Sequence, residues 1–146
     1  MFTFTDRFDH LAAGPITLQI AEKIPAGADG LPFYFYDILV DGQPAGKISL
    51  RIGANFHTYY NGNIGYEVDE PYRGHGCARA ACRLLLPLAR YHGMTSLYLT
   101  CAESNIASYR TIEGLGAELV EICEVPREYF AWRENMERQR IYRLAL

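Results

Sequence analysis

The six residues Arg73-Gly74-His75-Gly76-Cys77-Ala78 hold the densest chemistry in this chain. Two glycines let the backbone curl against a bound group with no Cβ in the way, and Arg73 adds a forked, fixed positive charge. The residues from His75 to Tyr91 read as a helix. Its first turn therefore presents free N–H groups and a positive dipole end, which together make an anion receptor, and a pyrophosphate is the anion expected there. Two nucleotide motifs fit poorly: no glycine stands at position 79 to complete GxGxxG, and the Lys of GxxxxGK[ST] is missing.

The stretch resembles the RxxGxA form of the acyl-CoA pyrophosphate loop of the GNAT acyltransferase superfamily, matched by Arg73, Gly76 and Ala78. The resemblance extends to the strand before it, Asn63-Ile64-Gly65-Tyr66-Glu67-Val68, and to a downstream block running from Asn105 to Ala117. The two blocks stand in the family's order and at a family-like separation. They imply an acetyl-CoA-dependent N-acetyltransferase that transfers acetyl directly, in a ternary complex, to a primary amine of a small molecule or peptide. The pyrophosphate would lie on Arg73, Gly74, His75, Gly76, Cys77 and Ala78. A non-catalytic acyl-CoA-binding or sensing module of the same fold is the alternative.

Acyl transfer from a thioester to an amine needs a neutral amine, a polarised carbonyl and a proton for the departing thiolate. The main-chain N–H near Val68 is expected to polarise the carbonyl, a role indifferent to its side chain. Glu67, on the strand that should line the reaction cleft, is the base expected to take the amine proton. Its alternative is a solvent-facing residue beside Asp69 and Glu70. The resemblance places the family's usual tyrosine acid at Ile112, so that acid is absent, and Tyr109, one helical turn earlier, is the phenol expected to reach the sulfur or else to pack in the core. Asn105 should cap the second helix, and the resemblance adds a bond to the pantetheine.

His75, between two glycines, is expected to present its backbone more than its ring. Cys77 and Cys101 raise the alternative of an acyl-cysteine intermediate, but no activating base is visible beside them, and both read as small buried residues. Tyr34, Tyr36, Tyr59, Tyr60 and Tyr66 with Phe33, Phe35 and Phe56 crowd the strands expected near the acceptor. Half of each strand must face the core; the rest could stack on an acceptor, with Arg51 meeting a carboxylate on it.

The elements that position these groups follow from pattern. Ile16–Ile24, Leu31–Val40, Lys47–Ile52 and Ile64–Val68 read as strands, the second and third joined by the Asp41-Gly42 turn into a hairpin. A helix over 75–91 follows, which Pro87 should kink or shorten. Next come a short strand over Leu97–Thr100, a helix over Asn105–Leu115 closed by Gly116, and strands over 118–125 and 140–146. Arg127–Gln139 reads as helix or loop. The fold class is α/β (α+β): a single domain over residues 1–146, with a mixed central sheet flanked by helices and a crossover through the helix after Arg73. By resemblance, the sheet splays between its fourth and fifth strands, Ile64–Val68 and Leu97–Thr100. One departure is visible. The family usually places helices between its first two strands, whereas Pro25–Gly30 alone separates them here, so residues 1–14, residues 53–62 or a second subunit should complete the acceptor pocket.

Composition narrows the partners. At 146 residues and a net charge of -3, with 14 basic and 17 acidic side chains interspersed, the chain has one domain's length and no basic stripe, so nucleic acid is excluded as a partner. No apolar run approaches the roughly twenty residues needed to cross a bilayer, and the start lacks a signal pattern, which predicts no membrane partner and a cytoplasmic location. The four cysteines lack ligand spacing, so free thiols and no metal are expected. A homodimer is the default assembly.

Overall fold

Alternating large apolar and polar side chains make the first half of the chain a set of strands with one face on the core. In the computed structural model, which describes residues 1–146, these are β1 (His10–Ala13), β2 (Ile16–Ile24), β3 (Phe33–Val40), β4 (Gln43–Arg51) and β5 (Ile64–Val68). They form one antiparallel sheet in chain order. β1 is the strand the sequence pattern does not announce: only four residues long and almost wholly exposed, it offers no alternation to detect. No helix interrupts the connection from β2 to β3, as the short Pro25–Gly30 segment predicts.

A second sheet holds β6 (Ser96–Ala102), β7 (Glu118–Cys123) and β8 (Gln139–Ala145), all antiparallel, with β8 in the middle. The mixed sheet of the sequence reading is therefore split in two. β5 and β6 stand side by side at the split, joined by a crossover through α2 (Cys77–Tyr91). Between β6 and β7 lies α3 (Ile106–Gly114), and α1 (Phe56–Asn61) precedes β5. The 127–138 segment is turns and irregular chain.

The core sits between the first sheet and α2. Tyr34, Tyr36 and Ile38 of β3 and Ile48 and Leu50 of β4 are buried against Ala81, Cys82, Leu85, Leu88 and Ala89, the helix face its spacing predicts. Pro87 does not shorten α2, which runs on to Tyr91. Its ring lies on the exposed face, where the carbonyl it cannot pair is open to water. No helix is long and apolar enough to cross a membrane.

Candidate active site

Where β5 and β6 part, they open a cleft of about 560 Å³, lined by β5, the loop before α2 and the first turns of α3. One end is the glycine loop. Gly74 and Gly76 both hold left-handed φ angles, 82° and 75°, which an L side chain resists. That curl leaves the N–H groups of Gly74, His75, Gly76, Cys77, Ala78 and Arg79 without any acceptor in the protein; the first amide of the helix to find one is Ala80, bonded to the Gly76 carbonyl at 3.0 Å. No side chain caps α2. Gly74, Gly76, Cys77 and Ala78 line the cleft, whereas the His75 ring is exposed and does not.

Arg73 lines the cleft and ties its two sides together: its Nε donates to the Val68 carbonyl at 2.7 Å. The free carbonyl follows from strand register. Arg51 N–H bonds the Asn63 carbonyl, and Asp69 N–H bonds the Ala45 carbonyl. Odd-numbered residues of β5 thus face β4, and alternation turns the N–H and C=O of Ile64, Tyr66 and Val68 toward the gap. The Val68 N–H therefore points into the cleft. β4 carries a bulge beside this point, since Ala45 is the extra residue between Pro44 and Gly46 in the β3–β4 pairing. A Cβ at Gly46 would collide with the Glu67 carbonyl.

Glu67 lies at the cleft's mouth, exposed, with its side chain on the sheet face opposite Tyr66. It is also the one residue shared with a second cavity, of about 510 Å³, that carries Asp37, Lys47 and Asp69.

The other wall is α3. Asn105 is its N-cap, with Oδ1 accepting Ser108 N–H at 3.2 Å, and its amide nitrogen remains free beside the cleft. Ser108 Oγ is 2.9 Å from the Tyr66 hydroxyl, so a phenol from β5 and a hydroxyl from α3 meet across the gap. Burial pushes the Tyr66 phenol up, partly offset by the Ser108 bond. Tyr109, the phenol expected at the sulfur, is elsewhere: it does not line the cleft, and Arg140 lies 4.1 Å over its ring. Helical rotation explains this, because one step of about 100° from Ser108 carries its neighbour off the cleft-facing stripe. Ile112, where the usual acid would stand, is buried.

Tyr66, Tyr72, Ala107, Ser108, Arg110 and Thr111 complete the cleft; of these, sequence reasoning named Tyr66 alone, as one of the aromatics that could stack on an acceptor. The 3.6-residue period from Asn105 through Ser108 to Thr111 was the available signal. The cysteines are free thiols, and burial pushes Cys77 and Cys101 up, away from the thiolate an acyl-cysteine needs.

The aromatic cluster divides. Tyr34 and Tyr36 are core, with hydroxyls bonded to Thr5 N–H and the Phe8 carbonyl respectively. Residues 1–8 pack at the C-terminal end of α2 through Phe2 and Phe8, so they do not wall the cleft. Residues 53–62 do not line it either; in that segment Asn55 Nδ2 donates to the Asp29 carbonyl at 2.6 Å.

Solved structures share this fold. An acetyltransferase from Salmonella typhimurium, described as modifying the N-terminal serine of 50S ribosomal subunit protein L7/L12, superposes with a TM-score of 0.62 at 20% identity, over 78% of this chain and 64% of that one. The microcin C7 self-immunity acetyltransferase MccE, in complex with acetyl-CoA and AMP, gives 0.60 at 20% identity, over 78% of this chain and 61% of its own. The chain thus spans less than two thirds of the length of these two relatives. A putative ribosomal-protein-serine acetyltransferase from Vibrio cholerae is matched over 94% of this chain and 97% of that one, with a TM-score of 0.67 at 12% identity. No curated protein matches the sequence. The acetyltransferase (GNAT) family model matches residues 8–117, well over half the chain, and the protein belongs to that family.

Proposed function

We propose that the protein is an acetyl-CoA-dependent N-acetyltransferase, transferring acetyl directly to a primary amine of a small molecule or peptide. The observation that carries this is one continuous cleft, lined by Val68 and Glu67 together with Gly74, Gly76, Cys77 and Ala78, whose amides have no acceptor in the protein. The amides of residues 74–79 would hold the pyrophosphate, and the terminal amino groups of Arg73 add charge while its Nε keeps the strand end in place. Asn105 Nδ2 and the unpaired edge of β5 are donors and acceptors for the pantetheine arm.

Bound there, acetyl-CoA supplies the acyl group as an activated thioester. Val68 N–H is aimed where negative charge develops on the carbonyl oxygen; losing such a donor costs about 10²–10³ in rate. Glu67 takes the proton of the incoming amine, directly or through water. The bonded pair of Ser108 and the Tyr66 hydroxyl is assigned here, in place of Tyr109, to return a proton to sulfur. Two of the relatives are described as acting on ribosomal-protein serine, which supports a peptide amine as acceptor.

A thiol-release assay over a panel of amines tests this, with calorimetry for acetyl-CoA. Expected are tight acetyl-CoA binding and turnover on at least one amine. Glu67→Gln should lower kcat/KM by about 10²–10⁴ with acetyl-CoA affinity kept. Tight binding with no turnover on any amine would instead make the chain a binding module.

A further inference from the structure

An acceptor must reach Glu67 from the sheet face that α2 leaves open. On that face Lys47 of β4 stands opposite Glu67, Ser49 opposite Gly65, and Arg51 bonds Asn63 through the main chain. Cross-strand partners share a face, so these side chains border the approach.

Arg51 is held from two sides. Its Nε lies 2.9 Å from Oδ2 of Asp29, an ionic contact out of line for a hydrogen bond, and its guanidinium carbon sits 5.4 Å from the centre of the Phe33 ring. Asp29 is only 5% exposed. It is fixed in turn, with Oδ1 accepting Leu31 N–H at 3.0 Å and its carbonyl accepting Asn55 Nδ2 at 2.6 Å. The Pro25–Gly30 connection, which stands where the family carries helices, thus contributes the anchor for this arginine.

Neutralising Asp29 uses one edge of the guanidinium. Neither Nη1 nor Nη2 makes a hydrogen bond within the protein, and the side chain stays 19% exposed. Nη1 is 3.7 Å from the point where a Cβ on Gly65 would stand, so the absence of a side chain there keeps the space before it clear. Gly65 and Glu67 are alternate residues of one strand, roughly 6.5–7 Å apart on the same face. An α-amine and the oxygen of its own carbonyl lie about 3 Å apart by standard bond lengths. An amine at Glu67 therefore places that oxygen within a hydrogen bond of Arg51, while a simple alkylamine offers Arg51 nothing.

We propose that Arg51 binds the carbonyl or carboxylate oxygen adjoining the acceptor amine. The acceptor class is then the α-amine of a peptide N-terminus or an amino acid, and not a side-chain or alkyl amine. The inference rests on Glu67 as the base that fixes the amine, and its test is built to fail separately.

On the unaltered protein, acetyl transfer is compared among alaninamide, alanine and sec-butylamine at matched concentrations of neutral amine. Alaninamide differs from sec-butylamine chiefly in its carbonyl, and alanine carries a carboxylate instead. Expected is a kcat/KM for one or both carbonyl compounds about 10- to 100-fold above sec-butylamine, the range of one charge-assisted hydrogen bond. Higher activity on alanine identifies a free amino acid, and higher activity on alaninamide a peptide terminus. Arg51→Gln should erase the preference through KM with acetyl-CoA affinity unchanged, and Arg51→Lys should restore part of it. Rates on alaninamide and alanine both no higher than on sec-butylamine, or a preference that survives Arg51→Gln, overturn the inference while leaving the acetyltransferase reading intact. No transfer to any amine overturns both. Should Arg51→Gln fail to fold because it strands Asp29, the comparison on the unaltered protein decides alone.

Discussion

Asn63 clamps both main-chain groups of Tyr98: its N–H donates to the Tyr98 carbonyl at 2.7 Å, and its Oδ1 accepts the Tyr98 N–H at 2.9 Å. These bonds tie the start of β5 to β6 before the two strands part. The Asn63 amide nitrogen also donates to the carbonyls of Arg51 and Gly53, at 3.0 and 2.8 Å, and the residue is 1% exposed. Asn63→Ala leaves one N–H and two carbonyls short of a partner. At about 1–3 kcal/mol for a buried group left unsatisfied, a loss of roughly 3 kcal/mol or more is expected by urea denaturation. Acetyl-CoA should also raise the Tm of this variant less than that of the parent. Parental stability in Asn63→Ala would show that the sheets are joined by packing alone.

The glycine loop, the hairpin and the α2 face were legible because each is written locally, in φ requirements and in periods of two or 3.6. Asn63 reads in the sequence as one more turn residue beside Gly62, since nothing local says that its partner is 35 residues away. Tyr109 shows a second limit. Spacing along a helix is visible, but which stripe faces the cleft depends on how α3 sits against β6, and that put Ser108 inside and Tyr109 under Arg140. The Arg51–Asp29 pair is of the same kind, joining two elements across a loop.

Gly76 links backbone strain to the proposed ligand. Its φ of 75° costs an L residue about 1–2 kcal/mol. The loop is exposed, so Gly76→Val should relax the backbone instead of carrying the strain, turning amides away from the anion they would share. Expected is acetyl-CoA affinity weaker by about tenfold or more, with the ligand-free Tm unchanged. Calorimetry and thermal unfolding measure the two. A lowered Tm with full affinity would show the loop rigid and the amides idle.

Asn105 has two faces that substitution can separate. Its Oδ1 caps α3, and its nitrogen is the group offered to the pantetheine. Asn105→Asp keeps the cap acceptor and removes the donor. Stability should stay near that of the parent while acetyl-CoA affinity falls. Asn105→Ala should lose both, with about 1 kcal/mol of stability going with the cap. Equal affinity in Asn105→Asp and the parent would leave the residue a cap and nothing more.

The end of α2 farthest from the cleft is sensitive to acid. His92 Nε2 lies 2.7 Å from the Tyr34 hydroxyl, whose oxygen also accepts Thr5 N–H at 3.0 Å. A neutral imidazole can make this bond with Nε2 as acceptor or, in its other tautomer, as donor. Phe2 packs on its ring with centroids 4.7 Å apart, and burial holds the histidine below its ordinary 6.5. A base whose pKa is lowered by folding is protonated first in the unfolded chain. Its contribution to stability is thus complete above pH 6.5 and is lost as the pH falls from there toward the folded value. Thermal unfolding between about pH 7.5 and 5.5 should show the Tm falling with acid. The fall should be shallower in His92→Phe, which keeps the ring packing and has no proton to gain. Parallel slopes for the two proteins would assign the acid sensitivity to other groups and leave His92 a packing residue.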